Sequence, residues 1–248
     1  MRRLASIAAI VGLSLAGATA MAQAEVPAAI AAAVASADRP EADKARDAAR
    51  KPAEIVAFAG VKPGDKVAEF LPGGGYYTRI LAKTVGPQGH VYALVPAGFA
   101  QNPDRLAALN ALAAQLGNVT VVATDLTQFT LPEPVDLAWT SENYHDMHNG
   151  PTPSFAGVNE ATARALKPGG IYFIEDHAAV AGSGITATST LHRIDPAAVI
   201  EELTAAGFAL DAQSDILANP ADPKTVGVRD PAVQGETEKF AMRFRKNG

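Results

Sequence analysis

The most informative segment of this 248-residue sequence reads Val67-Ala68-Glu69-Phe70-Leu71-Pro72-Gly73-Gly74-Gly75-Tyr76-Tyr77-Thr78. An apolar run that contains a carboxylate, Glu69, indicates a strand, and three glycines then lead into a helix. Glycine lets the backbone turn tightly and approach a ligand, while a helix N-terminus offers free N–H groups and a positive dipole end. Ligands of open parallel sheets bind in the crevice beyond the strand ends. The segment therefore predicts a small-molecule site, the alternative being a tight turn without a ligand.

Two common nucleotide-binding patterns do not fit these glycines. The dinucleotide fingerprint Gly-x-Gly-x-x-Gly, when it is read from Gly73, requires a glycine where Thr78 stands, and it fails at Pro72 when it is read one position earlier. A P-loop requires a lysine that this turn lacks. The turn thus differs from those of nicotinamide-dependent enzymes and P-loop nucleotidases.

Strand and helix patterns alternate downstream of this turn. Apolar runs bounded by turn residues predict strands at residues 66–71, 90–95, 119–123, 135–140, 171–175, 208–214 and 238–245. Helices are expected at 76–85, from the cap Asn102 to 116, from the cap Ser154 to the turn at 167–170, and from the cap Asp195 to about 207. The fold class is therefore α/β, with a single doubly wound, mostly parallel seven-stranded sheet. The last two strands, joined by a loop, predict an antiparallel hairpin at one edge of the sheet.

The N-terminus has the three regions of a secretory signal peptide. Two arginines precede an apolar run from residue 4 to about residue 20, and Ala22-Gln23-Ala24 offers a cleavage site. A membrane anchor is the alternative, but the run is short and rich in alanine. We expect residues 1–24 to be a signal peptide, 25–60 an N-terminal helical lid segment and 61–248 the α/β domain. This organisation predicts a periplasmic or secreted protein.

A charged segment at residues 41–51 forms part of the expected lid. Asp43, Arg46, Asp47 and Arg50 follow one another at helical spacings of three and four residues. The spacing predicts one helix with ion pairs between its own side chains. Such a helix lies either in solvent or over the crevice.

The composition limits the partners of the chain. It carries 21 Lys and Arg against 26 Asp and Glu, a net charge of -5, and no cysteine. Mild acidity without a basic block argues against nucleic acid as a partner. The lack of cysteine excludes disulfides and cysteine-based metal sites. We expect a small-molecule substrate and no stable membrane span in the mature chain, and the oligomeric state stays open.

The glycine turn after an acidic strand resembles the first motif of class I S-adenosylmethionine-dependent methyltransferases. The chain also resembles a group of exported bacterial proteins described as predicted methyltransferases. The motifs that carry this second resemblance are Arg39-Pro40, Asp43, Arg46-Asp47, Arg50-Lys51-Pro52, Gly60-Val61-Lys62-Pro63-Gly64, Pro72 to Thr78, Asn143-Tyr144-His145-Asp146 and Leu191-His192-Arg193-Ile194-Asp195. They extend from about Arg39 to Phe208, and the resemblance implies a Rossmann-like methyltransferase fold.

The resemblance implies S-adenosylmethionine as the cofactor and six residues around it: Glu69, Gly73, Gly74, Gly75 and Tyr76 near the turn, and Asp125 at the adenine amino group. Two positions depart from the pattern of the wider family. Leu71 stands where the first glycine of the motif is usual. The second strand ends in Val95-Pro96, where an acidic residue normally binds the ribose hydroxyls. The missing carboxylate predicts weak cofactor affinity or a different small ligand.

A second polar cluster, at residues 142–149, follows the fourth strand and is expected to overhang the same crevice. Methyl transfer needs an aligned acceptor and, for an oxygen acceptor, removal of a proton, which a histidine can accept. We expect His145 to be this base, Asp146 to orient it and His192 to face the acceptor. The strand ends are also expected to bring together His145, His148, Asp176, His177 and His192.

Two other functions are compatible with the same residues. Histidines and carboxylates from several strand ends can bind a divalent metal that activates water, as in a metal-dependent hydrolase. The spacings His-x-His and His-Glu-x-x-His are absent, however, and no metal site is expected. The missing ribose carboxylate and the export away from the cytosolic cofactor supply favour a non-catalytic periplasmic binding protein that retains the methyltransferase fold.

Overall fold

A seven-stranded mixed sheet runs through the computed structural model, which describes residues 26–149 and 154–247. Its strands are β1 (Lys66–Phe70), β2 (His90–Pro96), β3 (Val119–Thr124), β4 (Val135–Ser141), β5 (Leu166–His177), β6 (Phe208–Ser214) and β7 (Lys239–Lys246). Their order across the sheet is β3-β2-β1-β4-β5-β7-β6. The expected signal peptide, residues 1–24, lies outside the described residues.

The strand pairing confirms the predicted fold class. Strands β3, β2, β1, β4 and β5 run parallel, whereas β7 pairs antiparallel with both β5 and β6. The chain moves outward from β1 to β2 and β3 and then returns to β4 on the other side of β1. This reversal opens a crevice at the carboxyl ends of β1 and β4, where doubly wound sheets bind their ligands.

Helices cover both faces of the sheet. They are α1 (Ala28–Val34), α2 (Glu41–Lys44), α3 (Asp47–Arg50), α4 (Pro52–Ala59), α5 (Tyr76–Val85), α6 (Pro103–Leu116), α7 (Phe155–Ala165), α8 (Thr188–Leu191) and α9 (Pro196–Ala205). Asn102 and Asp195 cap α6 and α9 through their side chains, as predicted, whereas the Ser154 side chain does not cap α7. Within the described residues, no helix is long and apolar enough to cross a membrane.

The charged segment differs from its prediction, because it forms two single-turn helices, α2 and α3, instead of one helix. Lys51 ends α3 in the left-handed region (φ 42°), as the following Pro52 disfavours the helical conformation of the residue before it. Three ion pairs of the segment also reach residues outside it, among them that of Arg50 with Glu142. Asp47 pairs with Arg39, and Asp43 pairs with Arg79 of α5.

Two connections within the sheet also differ from their predictions. Residues 167–170 do not end a helix but form a bulge inside β5, because Leu166 already pairs with Val135 while Ile171 pairs with Leu137. Gly169 provides the left-handed turn of this bulge (φ 72°). Residues 125–134 join β3 to β4 as a loop without a helix, so the strict alternation of strands and helices fails there.

The core consists of two apolar layers, one on each face of the sheet. Trp139 of β4 is buried in one layer, where its ring contacts those of Tyr77 and Phe173. Ile30 of α1 is buried in the same layer, which fixes the N-terminal helix against α5. Burial of this kind stabilises by about 25 cal/mol per Å² of apolar surface. The packing therefore anchors both the glycine turn and the charged segment that follows α1.

Candidate functional site

The glycine turn lines two cavities at the carboxyl edge of the sheet. The first, called here the glycine-turn cavity, has a volume of about 200 Å³ and is lined by Glu69, Gly73, Gly74 and Trp139, among others. The second lies on the outer side of the same glycines, has a volume of about 470 Å³ and reaches Phe99. A ligand that extends along the turn can therefore occupy both.

A third cavity, called here the histidine cavity, lies next to the glycine-turn cavity. It has a volume of about 550 Å³ and contains His145 and His192 in its wall. Arg46, Arg50 and Glu142 line both cavities, so the two are neighbours. A larger groove of about 700 Å³ lies between α5 and α6, away from these strand ends, and contains none of the predicted site residues.

The backbone of the glycine turn has the shape that the sequence predicts. Gly73 and Gly75 have positive φ angles (57° and 83°), and a Cβ atom at Gly75 would overlap the side chain of Leu112. At Gly74 a Cβ atom would meet nothing within 4 Å. Leu71 also has a positive φ (51°), which is costly for a residue other than glycine. The turn thus keeps a left-handed residue where the resembling motif has its first glycine.

Glu69 is a buried carboxylate at the wall of the glycine-turn cavity. Its side chain is 2% exposed, and its Oε2 atom has no hydrogen-bond partner among the residues that the structure describes. Burial raises the pKa of Glu69 to about 7, and the nearby Thr78 hydroxyl and the positive charge of Arg79 offset this effect only in part. A positively charged ligand group would stabilise the ionised form of Glu69.

Tyr76 closes the turn on the side of the charged segment. Its hydroxyl donates to Asp47 over 2.6 Å, and the guanidinium groups of Arg46 and Arg50 lie 5.1 and 4.9 Å from its ring centroid. These contacts are within the range of cation–π attraction. The N-terminal segment thereby places two arginines over the glycine-turn cavity.

Asp125 lies apart from the other expected cofactor residues. Its carboxylate is exposed and accepts hydrogen bonds from the Thr127 backbone and hydroxyl and from Gln128. It lines neither the glycine-turn cavity nor the outer one. Asp125 therefore forms a local turn after β3, and contact with a ligand would require the loop or the ligand to reach it.

His145 is held by a buried carboxylate at the end of β5, Asp176. Asp176 accepts hydrogen bonds from the His145 backbone N–H (2.8 Å) and from its ring Nδ1 (2.8 Å). Burial alone would lower the pKa of His145, but Asp176 and Asp146 outweigh it and raise the pKa to about 10. At neutral pH the ring therefore carries two protons, and a role as a base requires that one of them leaves.

Asp146 and His192 both contact the other ring nitrogen of His145. Nε2 of His145 lies 3.3 Å from Asp146 Oδ1 and 3.2 Å from His192 Nδ1. The residue that orients His145 through Nδ1 is therefore Asp176 and not Asp146, which was expected in that place. Asp176 was predicted to lie in the cluster, but its role in orienting His145 was not predicted. The partner of a residue at a strand end depends on the fold and not on its local sequence.

The two remaining histidines of the predicted cluster have different surroundings. His148 does not line the histidine cavity. Its ring instead bonds to Glu202 (2.9 Å) and stacks on Phe155, so its predicted place in the cluster is wrong. Its partners Phe155 and Glu202 belong to α7 and α9, so its ring lies in the helical layer. His177 lines the histidine cavity, and burial lowers its pKa to about 4.

A set of buried charges between the two cavities was not singled out from the sequence. Glu142 pairs with Arg50 and with Lys239 of β7, and Lys239 Nζ also lies 3.5 Å from Glu175. Burial alone would raise the pKa of Glu142, but Lys239 and Arg50 lower it to about 2. The position of Glu142 at a strand end was a usable signal, whereas Lys239 reaches the site only because β7 inserts beside β5.

Comparison with known proteins relates the chain to methyltransferases. No protein-family model matches it. A curated relative, the protein-L-isoaspartate O-methyltransferase of Ignicoccus hospitalis, is 34% identical over 125 residues, which are 49% of this chain and 52% of the relative. The chain thus spans about half the length of this relative.

Solved structures resemble most of the chain. A SAM-dependent methyltransferase from Aquifex aeolicus has a TM-score of 0.55 at 20% identity, over 77% of this chain and 87% of that one. The cyclase SpnF has a TM-score of 0.58 at 17% identity, over 83% and 81%. At these identities the likeness shows the fold, which is that of class I methyltransferases and is also used by a cyclase.

Proposed function

We propose that this protein is an S-adenosylmethionine-dependent methyltransferase that acts on a small molecule. One observation carries the proposal: the glycine turn and the buried Glu69 carboxylate border a cavity that adjoins a second cavity lined by histidines. A cofactor and an acceptor can thus lie side by side at the strand ends. The sequence similarity to an O-methyltransferase supports the same reading.

The residues of the glycine-turn cavity fit the methionine end of S-adenosylmethionine. Glu69 has a buried oxygen without a partner among the described residues, and at Gly73 and Gly74 the backbone leaves space where side chains would stand. Glu69 would attract the positive charge of the cofactor, and the glycines would let it approach the backbone. When bound, the cofactor supplies a methyl group on a sulfonium. The ribose lacks an acidic partner at the end of β2, which supports weak affinity.

The acceptor is proposed to be a small molecule with a negative charge and an oxygen nucleophile. Arg46 and Arg229 are exposed at the wall of the histidine cavity, where they can bind a carboxylate or a phosphate. His145 and His192 lie deeper in the same wall and are placed to hydrogen-bond the nucleophile. The main task of these residues is alignment, because a well-oriented displacement needs little further assistance.

Export and the lid are parts of the same proposal. Residues 1–24 have the composition of a signal peptide, so the mature protein is proposed to begin near residue 25 in the periplasm or outside the cell. Residues 25–60 are proposed to cover the crevice through Arg46 and Arg50. Sequencing the N-terminus of protein from a periplasmic fraction tests export. Uncleaved protein in the cytosolic fraction would contradict it.

Transfer of an isotopically labelled methyl group tests the function. The mature protein is incubated with methyl-labelled S-adenosylmethionine and a panel of carboxylate and hydroxyl acceptors, beside the His192→Ala variant and a His90→Ala control at the opposite end of the sheet. We expect labelled product that is lost in His192→Ala and kept in His90→Ala. Cofactor binding without transfer to any acceptor would favour the non-catalytic binding protein.

A further inference from the structure

Three side chains of the histidine cavity bring ligand atoms unusually close together. Nε2 of His145, Oδ1 of Asp146 and Nδ1 of His192 are separated by 3.2, 3.3 and 3.6 Å. Zinc binds nitrogen and oxygen ligands at about 2.0–2.2 Å in a tetrahedron, whose edges are then about 3.3–3.6 Å. The three atoms thus already lie at the corners of one face of such a tetrahedron.

We propose that His145, Asp146 and His192 form a site for a divalent cation of the zinc class. Two imidazoles and one carboxylate are a common ligand set for a zinc ion that keeps one position open. The three residues line the histidine cavity, so the open position faces the space assigned to the acceptor. The sequence predicted that His145 and His192 lie near each other, but no local spacing marks the set as a metal site, because the two histidines are 47 residues apart and come from different connections.

The surroundings of His145 support this assignment. A metal-bound histidine usually donates its other ring N–H to a carboxylate, which fixes the ring and the tautomer. Asp176, which is fully buried, accepts from Nδ1 of His145 and leaves Nε2 directed toward the other two ligands. The carboxylates of Asp146 and Asp176 together carry two negative charges, which balance a dication.

The position of His192 is fixed from the opposite side. The next residue, Arg193, forms a fully buried ion pair with Asp222 (2.7 Å) and also donates to the carbonyl of Ala178. These contacts tie the connection after β5 to the C-terminal loop. His192 is therefore presented to the cavity by a rigid neighbour, and this limits the reorganisation that metal binding would require.

The proposed ion has a consequence for the acceptor, which rests on the proposed function. An oxygen of the acceptor that takes the open position would be polarised by the cation and would lose its proton more easily. The acceptor class then narrows to hydroxyl or carboxylate compounds that can bind a metal. The ion itself does not depend on the identity of the cofactor, so the two proposals are testable separately.

Metal binding is measured on tag-free, chelator-treated mature protein. Zn²⁺ is titrated by calorimetry, and Co²⁺ replaces it for visible absorption, which reports a low-coordinate site. We expect one ion per chain in the unmodified protein, with binding weakened in Asp146→Asn and His192→Ala by more than the roughly 10- to 100-fold that loss of an outer partner such as Asp176 costs. These two side chains are partly exposed, so the variants are expected to fold. His90→Ala, at the other end of the sheet, serves as the control and should bind as the unmodified protein does.

Two outcomes would overturn the inference: no uptake of either ion by folded protein, or uptake that is unchanged in both Asp146→Asn and His192→Ala. Asp176→Asn provides a further check, because loss of its support should weaken binding without removing a ligand. Calorimetry with S-adenosylmethionine on the same samples separates the proposals. Cofactor binding without metal binding contradicts only the metal site, and metal binding without cofactor binding contradicts only the proposed function.

Discussion

The glycine-turn cavity and the histidine cavity are neighbours, but their charges are arranged in opposite ways. In the glycine-turn cavity, Glu69 is buried and one of its oxygens lacks a partner among the described residues. At the histidine cavity, the buried Asp176 accepts from His145, and Glu142, which lines both cavities, is paired with Arg50 and Lys239. Two kinds of site thus adjoin along one edge of the sheet.

The difference indicates how each side depends on a ligand. A buried charge without a partner destabilises the fold until it is neutralised or paired, whereas buried pairs with good geometry hold the wall in place. We therefore expect a positively charged ligand group to stabilise the protein at the glycine-turn cavity. The histidine side is already shaped by the protein, and removal of one of its partners leaves the other charge uncompensated.

The largest change in the free energy of unfolding is expected for Asp176→Asn, which removes a charged partner next to the histidine cavity. Asp176→Asn removes the charge that holds His145. It also places an amide NH₂ group, a donor, against N–H groups from which Asp176 accepts hydrogen bonds. We expect a loss of about 3 kcal/mol in the free energy of unfolding, measured by urea denaturation in the presence of a chelator. Asp215→Asn, at an exposed position, should change it by less than about 0.5 kcal/mol. Equal losses of unfolding free energy in Asp176→Asn and Asp215→Asn would contradict the claim that paired buried charges hold the wall of the histidine cavity in place.

At Glu69, in the glycine-turn cavity, the expected change in the free energy of unfolding has the opposite sign. Glu69→Gln should stabilise the unliganded protein at pH 8 by about 2 kcal/mol, because a pKa raised from 4.5 to about 7 corresponds to at most about 3 kcal/mol. The folded chain keeps this proton between pH 4.5 and 7 while the unfolded chain loses it. The stability of the unmodified protein therefore falls through this window, relative to the variant.

Denaturation curves between pH 4 and pH 9 check this dependence. The difference in unfolding free energy between Glu69→Gln and the unmodified protein should grow as the pH rises toward 7 and then stay constant. Because the comparison is a difference, the titration of other groups cancels to first order. A pH-independent difference, or a less stable variant at pH 8, would show that Glu69 has a partner in the folded protein.

The smallest effect concerns the backbone that shapes the glycine-turn cavity. At Leu71, whose φ is 51°, Leu71→Gly and Leu71→Ala remove the same packing but differ in the strain of the left-handed conformation. We expect the glycine variant to be about 1 kcal/mol more stable than the alanine variant. Chemical denaturation of the two proteins measures the difference. A more stable alanine variant would mean that the turn does not hold the left-handed conformation.

Local signals in the sequence predicted most of the fold. The strand and helix boundaries around the glycine turn agree with the structure because apolar runs, caps and glycines act over a few residues. The predictions for 41–51 and 167–170 failed where another element decides the outcome. Asp43 and Asp47 pair with arginines outside their own helical turn, and residues 167–170 pair with β4 as a bulge.

The candidate site was predicted less completely, since its geometry depends on contacts between distant residues. Glu69, Gly73 and Gly74, which the sequence singled out, line one cavity because they belong to one turn. The sequence could not show that Asp176 supports His145, or that His148 turns away from the cavity. Nor could it show that Lys239 enters the site, because that follows from the order of strands at the end of the sheet.

Cofactor binding at the glycine turn is the central claim, and calorimetry with S-adenosylmethionine at pH 8 tests it most directly. In Gly74→Val the added Cβ atom has no described protein atom within 4 Å, but the side chain enters the space assigned to the cofactor. Gly98→Val is the control, because it makes the same change at an exposed glycine outside these cavities. We predict measurable binding to the unmodified protein and to Gly98→Val, and its loss in folded Gly74→Val. Absence of binding to the unmodified protein at millimolar cofactor, or unchanged binding in Gly74→Val, would contradict the account.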